Sequence, residues 1–88
     1  MKVRRSSFEI IHDILSAINS GTTKKTQIMY KACIDWRNCE KYISLLIENG
    51  MIRRNNGSFE MTERGEELYT HLSRVIELIS INSKNYKF

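Results

Sequence analysis

Both cysteines and the only tryptophan of this chain fall within one stretch, KACIDWRNCEKY at 31–42. Two thiols that close together could hold a metal, form a redox pair or close a disulfide. Zinc sites favour tighter pairs, with about two to four residues between the cysteines, and a second pair of ligands elsewhere. Here five residues separate Cys33 from Cys39, and no second pair exists. His12 and His71 fall on different helices, and neither has a cysteine at ligand spacing. The expectation is therefore no metal, no cofactor and two reduced thiols that behave as small apolar residues.

The other letters of the stretch suit a different chemistry. An arginine fits the O6/N7 edge of guanine and an asparagine the N6/N7 edge of adenine. Arg37, Asn38 and Lys41 are candidates for such contacts. Upstream, Lys24, Lys25, Thr26 and Gln27 offer two cations, a hydroxyl and the free N–H groups of a helix start, which together suit a phosphate. Downstream, Arg53, Arg54 and Asn55 precede an Asn-Gly pair. Neighbouring strand residues point to opposite sides, so one of these arginines is expected to face a duplex and the other an acid such as Glu60. Enzymatic chemistry lacks its parts: there is no Gly-rich phosphate loop, no carboxylate pair set for a cleft, no Ser/His/Asp or Cys/His arrangement with a supporting scaffold, and little room for a pocket. No small-molecule ligand is evident.

Charge supports the polyanion reading. The net charge is +4, and residues 22–58 carry seven Lys/Arg against three Asp/Glu. Residues 59–79 reverse the balance, with two against five. A basic middle beside an acidic flank is expected where one face meets nucleic acid. No apolar run approaches the ~20 residues of a membrane span, and the basic start is soon interrupted by charge, unlike a signal peptide. The expected location is the cytoplasm, with the nucleoid.

Elements must position these residues, and their signals are local. Ser6 and Glu9 have capping-box spacing ahead of a stripe of Ile11, Ile14, Leu15 and Ile18, with Gly21 closing the helix. A brief second helix is expected to take Thr26 as its N-cap and to bury Ile28, Met29 and Ala32. Asp35 caps a third, 36–49, between Ile34 and Cys39 at staple positions, and Gly50 with Met51 suits a Schellman ending. On that helix Trp36, Cys39, Ile43, Leu46 and Ile47 share one arc and Arg37, Lys41, Ser44 and Glu48 the opposite one, with Asn38 and Glu40 at its edges. Leu45 falls on the exposed side. Trp36, Tyr30 and Tyr42 are expected to serve packing first. A hairpin turns at Asn56-Gly57, which accepts the positive φ pair of a type I′ turn. Thr62 caps a last helix on which Leu68, Leu72, Val75, Ile76 and Ile79 form a coiled-coil seam. The seam is expected to pair two chains rather than fold back on the first helix, and the tail from Asn82 is expected to fray.

Helix, helix, helix, hairpin, helix is the order of a winged helix-turn-helix. The expected class is mainly α with a small β-hairpin (α+β). Residues 1–62 would form the DNA-binding domain and 63–88 the dimerisation helix and tail. KTQIMYKACIDWRNCEKYISLLIENGMI followed by FEMTERGEEL resembles the small archaeal winged-helix DNA-binding proteins. The resemblance rests on Lys25, Thr26, Ile28, Met29, Tyr30 and Ala32, then Trp36, Tyr42, Ile43, Leu46 and Gly50, then Thr62 and Gly65. Cys39 departs from it, standing where a larger aliphatic residue is usual. The resemblance implies binding of double-stranded DNA by the third helix in the major groove and by wing 53–58 on the flank. It also implies a homodimer through paired C-terminal helices. The role expected is transcriptional regulation, with chromosome organisation or a protein-docking winged helix as alternatives.

Overall fold

The computed structural model describes residues 6–84, with side chains described for 6–79. The elements in order are α1 (Ser7–Asn19), α2 (Lys25–Ala32), α3 (Trp36–Glu48), β1 (Ile52–Asn55), β2 (Ser58–Met61) and α4 (Glu63–Lys84). The strands form a two-stranded antiparallel sheet. This is the mainly helical α+β winged arrangement that the sequence pattern predicts.

Capping sets the helix ends. Glu9 N–H donates to Ser6 Oγ at 3.2 Å, and Ser6 N–H donates back to Glu9 Oε1 at 2.8 Å. At the far end of α1, Gly21 (φ 99°) and Thr22 donate to the Ile18 and Ala17 carbonyls, satisfying both acceptors of a Schellman ending. The end of α3 repeats the pattern: Gly50 (φ 74°) donates to Ile47 and Met51 to Leu46. The entry to α2 differs from expectation. Lys24, not Thr26, is the N-cap, and it makes no side-chain capping bond. The helix starts two residues early, with Lys25 in its first turn held by Glu40 and the Trp36 ring of α3.

The core gathers Ile11, Ile14, Leu15 and Ile18 of α1, Ile28 and Ala32 of α2, and Cys39, Tyr42, Ile43 and Leu46 of α3. Ile52, Phe59 and Leu72 complete it from the strands and α4. Three packing expectations are corrected. Tyr30 is 74% exposed, because it lies roughly 200° around α2 from Ile28, on the side away from the core. Trp36 is 54% exposed, because it opens α3 at the margin of the buried arc, ahead of the turns that the core covers. Leu72 does not belong to an open seam: it is buried in the core of its own chain, and Leu68 packs beside it. The helical backbone of α4 also runs through Asn82 to Lys84, where fraying was expected, and residues 85–88 lie outside the described range. Leu45, on the exposed side as expected, walls a shallow apolar cleft with Phe8, Leu46, Met51, Leu68 and Leu72.

The start of α4 is pinned to the approach of β1. Thr62 N–H donates to the Met51 carbonyl at 3.0 Å, and its hydroxyl lies within reach of the Gly50 and Met51 carbonyls. The same hydroxyl accepts from Gly65 N–H at 3.0 Å, capping the helix. Gly65 itself passes so close to the strand that a Cβ would run into the Met51 carbonyl and come within 2.8 Å of Met61 Cγ. Glycine is required here by space, not by backbone dihedral.

Candidate nucleic-acid interface

The turn between α2 and α3 is closed by Cys33 in the left-handed region (φ 55°, ψ 49°). Ile34 N–H reaches back to the Met29 carbonyl at 3.2 Å. Asp35 then starts α3, its Oδ1 accepting from Asn38 N–H at 2.8 Å. With Cys39, Tyr42, Ile43 and Leu46 turned inward, Arg37, Glu40, Lys41 and Ser44 are left in solvent. Asn38 is half-buried at the margin. Among the described residues no acid pairs with Arg37 or Lys41; the Lys41 ammonium rests 5.3 Å from the Tyr42 ring centre.

The helix α2 contributes its first turn. Lys24, Thr26 and Gln27 are exposed, but Lys25 is not a loose cation. Its Nζ pairs with Glu40 Oε2 and lies 4.0 Å from the centre of the Trp36 ring. The Tyr42 hydroxyl lies 3.0 Å from Ser7 Oγ of α1.

The wing divides its arginines as strand alternation requires. Arg53 sits opposite Glu60 and Arg54 opposite Phe59, while Asn56 (φ 52°) and Gly57 (φ 81°) form the two-residue turn with both φ positive. Glu60 takes hydrogen bonds from Arg53 Nε and Asn55 Nδ2, both at 2.8 Å. The hydrogen bond from Asn55, followed by that from Arg53, holds its carboxyl below the ordinary carboxylate range. Arg54 has no acid among the described residues and lies over Phe59, 5.5 Å from the ring centre. The base of the wing is tied inward, Phe59 N–H donating to the Thr23 carbonyl at 2.9 Å.

The structure thus gathers the α3 candidates on one helix side and the α2 candidates on one turn, and commits Lys25, Arg53 and Asn55 to acids. Sequence reasoning missed the exposure of Trp36 and the Lys25–Glu40 pair. The signal for the pair was Glu40 itself, an acid at the edge of a basic arc. It also missed Leu78, which is exposed on the second half of α4 with Val75 and Ile79, while Ile76 is half-buried. Neither cysteine is in a disulfide, and no group of residues suited to a metal occurs among the described residues. Burial pushes the Cys39 thiol up.

Comparison with known proteins follows the same lines. A family model described as winged helix-turn-helix matches residues 4–80. An uncharacterised protein of Methanocaldococcus jannaschii is 48% identical over 83 residues, covering 94% of this chain and 84% of its own length. A second uncharacterised protein of that organism is 39% identical over 77 residues, 88% of this chain but 36% of the relative. Among solved structures, Sso10a-2, a DNA-binding protein from Sulfolobus solfataricus, superposes with a TM-score of 0.77 at 28% identity, over 92% of this chain and 88% of that one. An O-methyltransferase from neocarzinostatin biosynthesis shares the fold alone, with a TM-score of 0.58 at 22% identity, over 69% of this chain and 21% of its own.

Proposed function

We propose that this chain, which belongs to the winged helix-turn-helix family, binds double-stranded DNA and regulates transcription as a homodimer. The observation that carries the reading is the outward side of α3, where Arg37 and Lys41 stand in solvent without acidic partners among the described residues. A helix so placed enters the major groove with its N-terminal half against base edges. Lys24, Thr26 and Gln27 on the first turn of α2 meet a phosphate, and Arg54 carries the wing onto the flank. The DNA-binding character of the similar Sulfolobus protein supports the same reading. For the dimer, the support is the apolar second half of α4: Val75, Leu78 and Ile79 are each about half exposed, at 47, 47 and 57%. Among the described residues no helix is long and apolar enough to cross a membrane; we place the protein in the cytoplasm with the nucleoid.

Selection of bound duplexes from a random pool, combined with the mass in solution, tests both parts. A regulator enriches a defined sequence, and its affinity for random duplex is weaker by about 10³-fold or more. Equal affinity for selected and random duplexes overturns regulation in favour of non-specific coating. A monomeric mass at micromolar protein overturns the homodimer.

A further inference from the structure

Glu40 is the only acid within the first two turns of α3, and it stands one turn beyond Arg37 on the same side. A carboxylate presented to a duplex meets like charge along both backbones and disfavours binding wherever nothing satisfies it. In this fold half of the group is already satisfied. Lys25 Nζ pairs with Oε2, and Lys25 is itself held against the Trp36 ring, its side chain only 23% exposed. Oε1 receives no hydrogen bond among the described residues, and the Glu40 side chain is 48% exposed. The arrangement fixes one oxygen and presents the other. In the major groove, cytosine N4 is the amino donor that a carboxylate side chain accepts from.

The geometry points to Glu40 as a specificity-determining residue: with Lys25 and Trp36 holding one carboxylate oxygen, the other accepts a hydrogen bond from a cytosine amino group and penalises sites without it. The inference rests on the DNA-binding reading of α3 given above. It gives Lys25 a positioning role instead of a phosphate contact, and gives Trp36 a reason to be exposed: its ring face supports the ammonium. Sites that offer no amino group at this position leave an acid unsatisfied in the groove, so discrimination comes from rejection as much as from attraction.

The test is random-pool selection with the full chain, run in parallel on the parent protein and on Glu40→Gln, Glu40→Ala, Lys25→Gln and Lys25→Arg. The parent is expected to enrich cytosine at one position. Glu40→Gln should shift that position to adenine, since a carboxamide pairs with both N6 and N7. Glu40→Ala should lose preference there alone, by roughly tenfold or more, with other positions unchanged. Lys25→Gln should blur the same position and Lys25→Arg should restore it. Unchanged base preferences for Glu40→Gln and Glu40→Ala, with affinity rising for all duplexes alike, overturn the inference and reduce Glu40 to an electrostatic brake. A parent protein that shifts no duplex even at low salt overturns the DNA-binding reading itself, and the role of Glu40 falls with it.

Discussion

The two halves of α4 are one continuous helix with opposite relations to the rest of the chain. The first half is fixed several times over: Thr62 caps it and bonds back to the approach of β1, Gly65 lies against the Met51 carbonyl, and Leu68 and Leu72 join the core. The second half carries side chains as apolar as the first, yet leaves Val75, Leu78 and Ile79 in solvent. Apolar type and spacing are thus common to both halves, and only the presence of α1 and β2 beneath the first distinguishes them. A helix stripe marks an apolar surface; it does not say whether the same chain covers it.

Three perturbations would sharpen or break this contrast. The largest effect is expected at the joint. Gly65→Ala forces a methyl group into a backbone carbonyl that cannot move without shifting β1, and should cost about 3 kcal/mol or more; urea denaturation measures it, and a change within 0.5 kcal/mol (~) would mean that the joint is slack. Next comes the matched pair Leu72→Ala and Ile79→Ser. The first should destabilise by about 2–3 kcal/mol through the space it leaves in the core. The second should leave the unfolding of the isolated chain within about 0.5 kcal/mol but lower the mass seen by sedimentation. Equal losses of stability would erase the distinction between halves.

The smallest effect lies in the wing. Glu60 is a stronger acid in the folded chain than its ordinary value of 4.5 because Asn55 and Arg53 donate to its ionised form. Its stabilising contribution is therefore complete above pH 4.5 and is lost as pH falls through the lower folded value. Amide exchange of β1 and β2, corrected for intrinsic rates, should accelerate in that acidic window while the buried face of α1 stays protected. Uniform loosening of all elements would contradict a local role.

The sequence was most legible where structure is decided by near neighbours. The Ser6–Glu9 box, the Asp35 cap, the Gly21 stop, the Schellman ending at Gly50 and the Asn56-Gly57 turn each depend on residues within about five positions, and each stands where the pattern placed it. The α2 start was not legible, because Thr26 is a good cap by type, whereas the contacts that hold Lys25 in the first turn come from α3. Trp36 and Tyr30 were misread for a related reason: aromatic character says that a ring gains from being covered, and in both cases too little of the chain is near enough to cover it. At the candidate site, the division of Arg53 from Arg54 followed from strand alternation alone. The pairing of Lys25 with Glu40 did not, since it joins residues fifteen apart across the helix-turn-helix.

The bond from Phe59 N–H to the Thr23 carbonyl has a consequence for the order of assembly. A lone two-stranded hairpin is marginally stable in water, and this one borrows its anchor from a linker that lies thirty-six residues earlier in the chain. Closing so long a loop before other contacts exist is entropically unfavourable. The wing therefore condenses late, onto helices already packed, and a peptide excised as residues 51–62 is expected to remain unstructured. The flank contact proposed for Arg54 would accordingly depend on the packed helices that hold the wing in place.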